Sequence, residues 1–454
     1  MPTLEQYLES NASRFEAELC DFLRIASVSA DPARKGEMLK AAEWVAGQLR
    51  SLSFTAEIIP TSGHPMVFAQ SPEVPGAPTV LVYGHYDVQP AEPLEKWTTP
   101  PFEPAKRDGK LYARGSSDDK GQVFSHIKSA EAIIKTHGKL PLNLKYLVEG
   151  EEEVGSTGLG EFLKTNAKKL ASDCIVISDG SQFGPGLPAI NYGLRGIAYY
   201  EVHLQGPNRD LHSGSFGGSV TNPANALAKI LAGLIDEKGR VQIPGFYDDV
   251  VPLTDRERKQ FAELPFTEAE YFKHVGVEGA IGEEGYTALE RRWARPTYDI
   301  CGLWSGYQGE GAKTVLPAQA GAKISFRLVP NQTPEKVAEG LKKKLAELTP
   351  PGVKLEFISH HGGPGVLVSL ESPYIEAAAR AIEFAFGRRP VFTREGGSIP
   401  IVAKFAEHLK VDTLLLGWGQ EDDNAHSPNE KFLLADFHKA IKASAKLWEE
   451  LAKK

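Results

Sequence analysis

The sequence predicts an α/β protein: a layered, mostly parallel sheet domain with an α+β domain inserted into it. Three observations carry this. Short apolar runs alternate with amphipathic stretches of helical period through the first ~190 residues, the pattern of a layered parallel sheet. From about Leu194 the pattern changes to long alternating strands, and after Pro373 the first pattern returns. A length of 454 residues leaves room for two or three domains at roughly 150 residues each.

Apolar residues recurring at intervals of three and four predict helices over residues 4–25 and 37–52. Apolar strands follow at 79–83, 142–148 and 174–177, each running into a polar, Gly-containing loop. Between the first two, residues 123–135 read as a helix stopped by Gly138 and Pro141. The inserted part opens with an alternating strand at 196–205, a Gly-rich loop, and a helix begun by Asn222 and Pro223. Residues 241–296 are Pro-rich and charged, with weak periodicity and no predicted element. A strand (323–329), a helix (334–348) and a strand (354–359) complete it. Helices at 374–386, 399–408 and 433–451 and a strand at 412–416 close the chain. The expected division is therefore 1–193 with 366–454 as the sheet domain, and 194–365 as the insertion.

The charge balance, 51 Lys+Arg against 59 Asp+Glu with no basic run of five, argues against a nucleic-acid partner. No stretch reaches the ~18 apolar residues of a bilayer span. Glu5, Glu9, Glu16 and Glu18 stand where a secretory leader would be basic and then apolar, so a cytoplasmic protein without membrane contact is expected. Cys20, Cys174 and Cys301 lie far apart in apolar neighbourhoods, outside any CxxC pair, and are expected as buried reduced thiols.

Ligands of a parallel sheet collect at the carboxyl ends of its strands. Those exits here carry Gly84-His-Tyr-Asp87, Glu149-Gly-Glu-Glu-Glu153, Ser178-Asp-Gly180 and Glu421-Asp-Asp-Asn-Ala-His426, and the loop before the third helix adds Arg114-Gly-Ser-Ser-Asp-Asp-Lys-Gly121. Taken singly, the three glutamates read as a solvated charge run, Asp118-Asp119 as a helix cap and His85 as a core histidine. Together they place too many carboxylates at one sheet edge to coexist without a cation. Two His with three carboxylates carry about −3, which two divalent ions and a hydroxide bring close to neutrality.

These motifs, with Asp210-Leu-His-Ser-Gly214 and Gly396-Gly-Ser-Ile-Pro400, resemble the M20 family of dinuclear metallopeptidases across nearly the whole chain, most closely its carnosine dipeptidase branch. The resemblance implies a catalytic sheet domain and an inserted lid and dimerisation domain. It implies that Asp118 bridges two metal ions, with His85 and Asp179 on one and Glu153 and His426 on the other. Glu152 becomes the general base, and Asp87 the aspartate orienting the His85 ring. It also implies a cis peptide between Asp118 and Asp119. Glu151 has no role in that pattern.

By the same resemblance, His212 donates to the oxyanion from the partner subunit of a homodimer. Arg327 grips the substrate carboxylate with Gly397 and Ser398, and Thr314 and His361 align at the same site. The implied reaction is hydrolysis of dipeptides, with deacylation of N-acyl amino acids or carboxypeptidase action as the alternative. Zinc is the expected metal pair, and carboxylate-rich ligation also suits manganese or cobalt.

Overall fold

The computed structural model describes residues 1–397 and 399–453, without the side chains of His361 and Pro400. Ser398 and the His361 side chain, both expected at the substrate carboxylate, thus lie outside the described residues. The chain divides into two compact units: Met1–Tyr192 with Val368–Thr393 and Lys404–Lys454, and Gly193–Leu367 with Arg394–Ala403.

The first unit begins with helix Leu4–Leu23, opened by a capping box in which Thr3 and Gln6 exchange side-chain and backbone hydrogen bonds. Its inner face carries Phe15, Leu19 and Phe22, and Phe22 stacks on Trp44 of helix Lys35–Ser51 with ring centres 4.3 Å apart. The sheet runs in the order Thr55–Ile59, Met66–Gln70, Asn143–Glu149, Thr79–His85, Cys174–Ser178, Asp412–Leu416, Ala189–Leu194. The middle four strands are parallel, and the flanking pairs are antiparallel. All of Cys174–Ser178 and all but the first residue of Thr79–His85 are buried, as strands covered on both faces must be. Helix Lys120–His137 is almost wholly buried and ends at Gly138, whose φ of 81° needs a glycine. Trp448 of the final helix, Leu434–Leu451, donates its indole N–H to Ser129 at 2.7 Å, fixing that helix to the buried one. Because the four central strands share a direction, the residues following His85, Glu149, Ser178 and Leu416 emerge at one edge.

The second unit holds an antiparallel sheet in the order Thr297–Ser305, Gln319–Leu328, Gly196–Gln205, Lys354–Gly363. Burial alternates without a break along Gly196–Gln205. The inward residues Ala198, Tyr200, Val202 and Leu204 form a core with Leu227 and Ile230 of helix Pro223–Ala232 and Leu341 and Leu345 of helix Pro334–Leu348. Residues 241–296, without a predicted element, contain helices Asp255–Ala262, Glu268–Val275 and Ala288–Ala294. Each is two turns or so, too short for a period to show. Their legible signal is the cap: Thr254, Thr267 and Thr287 each accept the N–H of a glutamate three residues on.

Strand Thr297–Ser305 also lies outside the sequence expectation. It is an edge strand with a bulge between Ile300 and Gly302, and its Asp299, Ile300 and Cys301 are exposed. Cys301 therefore corrects the expectation of three buried thiols, since its apolar neighbours face outward with it; Cys20 and Cys174 are buried, and none of the three is bridged. Among the described residues no helix is long and apolar enough to cross a membrane.

Gly84 shows how tightly the sheet is joined to the loop that follows it. A Cβ there would lie 2.6 Å from both Asp119 Oδ2 and Val123 Cγ2, and Asp119 Oδ2 accepts the His85 N–H at 3.0 Å. Replacing Gly84 with Ala is expected to cost about 2 kcal/mol of stability, the usual penalty of overpacking a filled site. Urea denaturation measures it, and an unchanged midpoint would contradict this account.

Candidate metal centre and active site

His85 closes its strand fully buried, with Nδ1 3.1 Å from the Asp87 carbonyl and 3.3 Å from Asp87 Oδ1. That contact turns Nε2 toward Asp118 Oδ1 at 3.2 Å and Asp179 Oδ2 at 3.9 Å. Nε2 is buried without a hydrogen bond of good geometry and faces two carboxylates. Burial by itself would lower the ring, but Asp118 and Asp87 hold it well above its ordinary value. On the other side of Asp118, Oδ2 lies 2.8 Å from His426 Nε2, itself 3.2 Å from Glu153 Oε2. Two ligand groups result, His85–Asp118–Asp179 and Asp118–Glu153–His426, each with its atoms within 4.8 Å of one another. Asp118 belongs to both. The Asp118–Asp119 peptide is cis.

The electrostatics of the bare residues call for cations. Burial, and then the charge of Asp118, pushes the Asp179 carboxyl up to about 7. Burial also lifts Glu152 to about 9, with Asp179, Glu153 and Asp118 adding to it against the pull of His85. The hydrogen bonds to Asp118 and Glu153 hold His426 up at about 10. Without metal, then, the cluster retains protons to limit repulsion, and divalent ions would displace them. The donor set, three carboxylates and two imidazoles with one orphaned nitrogen, fits two such ions and leaves room for water at each.

Asp87 serves two purposes. Besides turning the His85 ring, its carboxylate accepts the Glu152 N–H at 3.3 Å and the Glu153 N–H at 3.2 Å, one on each oxygen. It thereby fixes the glutamate turn against the histidine. Gln89 donates to Glu153 Oε2 at 2.7 Å, while Glu152 stands beside both ligand groups without belonging to either. Glu151 points away from the centre. Its Oε2 accepts the Gly158 N–H at 3.1 Å and lies 3.4 Å from the Thr61 hydroxyl, capping helix Thr157–Asn166. Its role is structural.

Several buried groups around the centre had no role assigned from the sequence, Glu149 and Lys120 among them although both stand within its motifs. Glu149 Oε1 accepts from Tyr83 at 2.6 Å and Ser156 at 2.8 Å. Lys120, buried, donates to the Ile25 carbonyl at 2.6 Å. Glu430 accepts four hydrogen bonds from the loop bearing Asp118. The only available cue was an acidic or basic residue within or beside a motif, which ordinarily marks solvent exposure.

The remaining expected residues lie in the second unit. His212 and Thr314 come together there: the ribbon Leu211–His212 pairs with Val315–Leu316, and Ser213 donates to the Thr314 carbonyl at 3.1 Å. His212 is exposed, and its Nδ1 accepts the N–H groups of Gly214 and Ser215 at 3.1 and 3.3 Å. That leaves Nε2 as the donor of the ring. Arg327 is half-buried, the penultimate residue of its strand. Arg195 is lowered to about 10 by burial and then by the Arg327 charge. The Arg195 guanidinium holds the Gly396 carbonyl at 3.0 Å, next to Gly397.

Residues 81–450 match the model of peptidase family M20/M25/M40. The chain is 34% identical to the Cys-Gly metallodipeptidase Dug1 of Schizosaccharomyces pombe, over 99% of this chain and 98% of that one. Human carnosine dipeptidase 1 superposes with a TM-score of 0.83 at 31% identity, over the full length of both chains. The M20 family metallo-carboxypeptidase Sso-CP2 of Sulfolobus solfataricus does so with a TM-score of 0.85 at 34% identity, over 97% of this chain and 99% of that one. With a family match over most of its length and relatives aligned from end to end, the chain belongs to peptidase family M20/M25/M40.

Proposed function

We propose that the chain is a dinuclear metal-dependent dipeptidase. The observation that carries this is Asp118, shared by two ligand groups, with Glu152, a carboxyl that feels the charges of both groups and belongs to neither, beside them. His85, Asp118 and Asp179 would hold one divalent cation and Asp118, Glu153 and His426 another, zinc by proposal with manganese or cobalt as the variants to test, and the pair would supply charge for the cluster, polarisation of a carbonyl and a more acidic water. Glu152 takes the proton of the attacking water and delivers it to the leaving amine. Asp87 holds the His85 ring and the glutamate turn in register for that transfer. The Dug1 relative and human carnosine dipeptidase, both named for dipeptide cleavage, support a dipeptide as the substrate.

The second unit, as an inserted lid and dimerisation domain, supplies the rest. His212, with Nε2 as its donor, stabilises the oxyanion of the partner subunit's reaction. Arg327, Gly397 and Ser398 clamp the substrate carboxylate, with Thr314 and His361 beside them. A homodimer is supported by the edge strand Thr297–Ser305, which leaves Ile300 and Leu303 47% and 59% exposed. The unbridged cysteines agree with a cytoplasmic location.

Assay against dipeptides, longer peptides and N-acyl amino acids tests the assignment. Dipeptides are expected to turn over fastest, and a preference for longer peptides would instead point to the carboxypeptidase activity named for the Sulfolobus relative. Glu152→Gln is expected to retain two ions per chain by elemental analysis while kcat falls by at least ~10²-fold. Loss of an ion would make Glu152 a ligand and move the base elsewhere.

Arg327→Ala is expected to lower kcat/KM by about 2 kcal/mol for free dipeptides and far less for C-terminally amidated ones, which lack the charge to be gripped. Equal losses on both would remove Arg327 from the clamp. Mixing inactive His212→Ala with inactive Glu152→Gln protein is expected to restore activity after subunit exchange, because some mixed dimers then hold one complete site. Exchange without recovery would confine His212 to its own subunit or exclude it from catalysis.

A further inference from the structure

The loop that carries His426 turns repeatedly through the left-handed region. Asn424, His426 and Asn429 all have positive φ, of 57°, 62° and 60°, where asparagine and histidine are among the most readily accommodated of the non-glycine residues. The loop is pinned at both of its feet, and both stand on the segment that carries Asp118. At the first foot, Asp423 Oδ2 accepts from the Ser117 hydroxyl at 3.0 Å and from the Gln420 N–H at 2.7 Å, and Lys431 closes the base with a 2.8 Å contact to Asp423 Oδ1.

The second foot is Glu430, which is completely buried. Its Oε1 accepts the N–H groups of Ser117 at 3.0 Å and Asp118 at 3.1 Å. Its Oε2 accepts the Gly115 N–H at 2.9 Å and Arg114 Nη1 at 2.8 Å. The Glu430 carbonyl takes the Ala113 N–H at 3.1 Å, and Arg114 Nη2 reaches on to the Pro90 carbonyl at 3.0 Å. One carboxylate thus accepts from three amides of one loop, those of Gly115, Ser117 and Asp118, and from a guanidinium.

We propose that Glu430 is a positioning residue for the metal centre: by binding the Asp118 backbone from the foot of the His426 loop, it sets the separation of Asp118 and His426, two of the three ligands of the second cation site. This rests on the dinuclear reading above. A carboxylate is required there because all four partners are donors. A glutamine of the same shape must turn its NH₂ group against two of them, whichever way it is rotated. The remaining amides would then pull the Asp118 segment away from His426, although neither ligand had been altered.

The test compares wild-type, Glu430→Gln, His426→Ala and the double variant by chelator-competition titration with Mn²⁺ and Zn²⁺, and records the thermal melting of each metal-free protein. Glu430→Gln is expected to weaken, about 10- to 100-fold, the same ion that His426→Ala weakens, the usual effect of altering a group that orients a ligand. Its kcat is expected to return toward wild-type at saturating metal. In the His426→Ala background the same substitution is expected to weaken binding no further. Glu430→Asp, which keeps the charge but is one methylene shorter, serves if the glutamine variant does not fold, and is expected to show the same selective loss at smaller size. Metal affinity unchanged within threefold while melting temperature falls, or losses that simply add in the double variant, would make Glu430 an ordinary brace of the fold and overturn the proposal. A wild-type chain that binds one ion only overturns the dinuclear reading itself, and is told apart because no second titration step is then present to weaken.

Discussion

The molecule is organised around mutual repulsion among carboxylates. Asp118, Glu152, Glu153 and Asp179 meet at one edge of the central sheet, where burial denies them the water that would screen their charges. Such a cluster is stable only with compensating positive charge, so the parallel strands, the glutamate turn and the C-terminal loop work as a frame for it. Asp87 is the hinge of that frame, touching the His85 ring and the backbone of both neighbouring glutamates. Asp118 is its centre, the one side chain that both ligand groups share.

The surrounding residues divide into those that hold charge and those that hold position. Glu151 caps a helix and Glu430 gathers backbone amides, and both use a carboxylate's acceptor capacity with no need of a metal. Identical chemistry thus serves three ends around one centre, and only the partners that each carboxylate meets separate them. In the second unit Arg195 does the same for cations, spending its guanidinium on the backbone of the Gly396 segment beside the charge of Arg327.

Much of this was legible in the sequence because it follows local rules. Strands 412–416 and 196–205 and helix 334–348 stand where periodicity placed them, since each has one clear apolar face or an unbroken apolar run. The site residues of the first unit were legible as well, because strand exits collect them and the family motifs name them. What escaped had a different physical origin. The short helices of 241–296 are set by threonine caps rather than by an apolar stripe, and strand 297–305 lies at an edge where hydrophobic residues face outward. One sheet flank runs antiparallel because Thr55–Ile59 and Met66–Gln70 are hairpin neighbours, which a short turn lets run back. Glu430 and Lys120 escaped because nothing in a charged residue's neighbours announces that it will be buried and fully bonded.

Strand Asp412–Leu416 lies between Cys174–Ser178 and Ala189–Leu194, although more than two hundred residues of chain separate it from either. On the ribosome, synthesis runs from the N-terminus, so the sheet is made with a gap at its middle. The inserted unit is complete before the strand that fills that gap exists. During that interval the edges of two buried strands are exposed, the condition in which chains pair wrongly with their neighbours. His426 is translated only after this strand. A nascent chain therefore passes most of its synthesis with the residues of the His85–Asp118–Asp179 group already made, while His426 and the Glu430 and Asp423 side chains that hold the Asp118 segment are still to come.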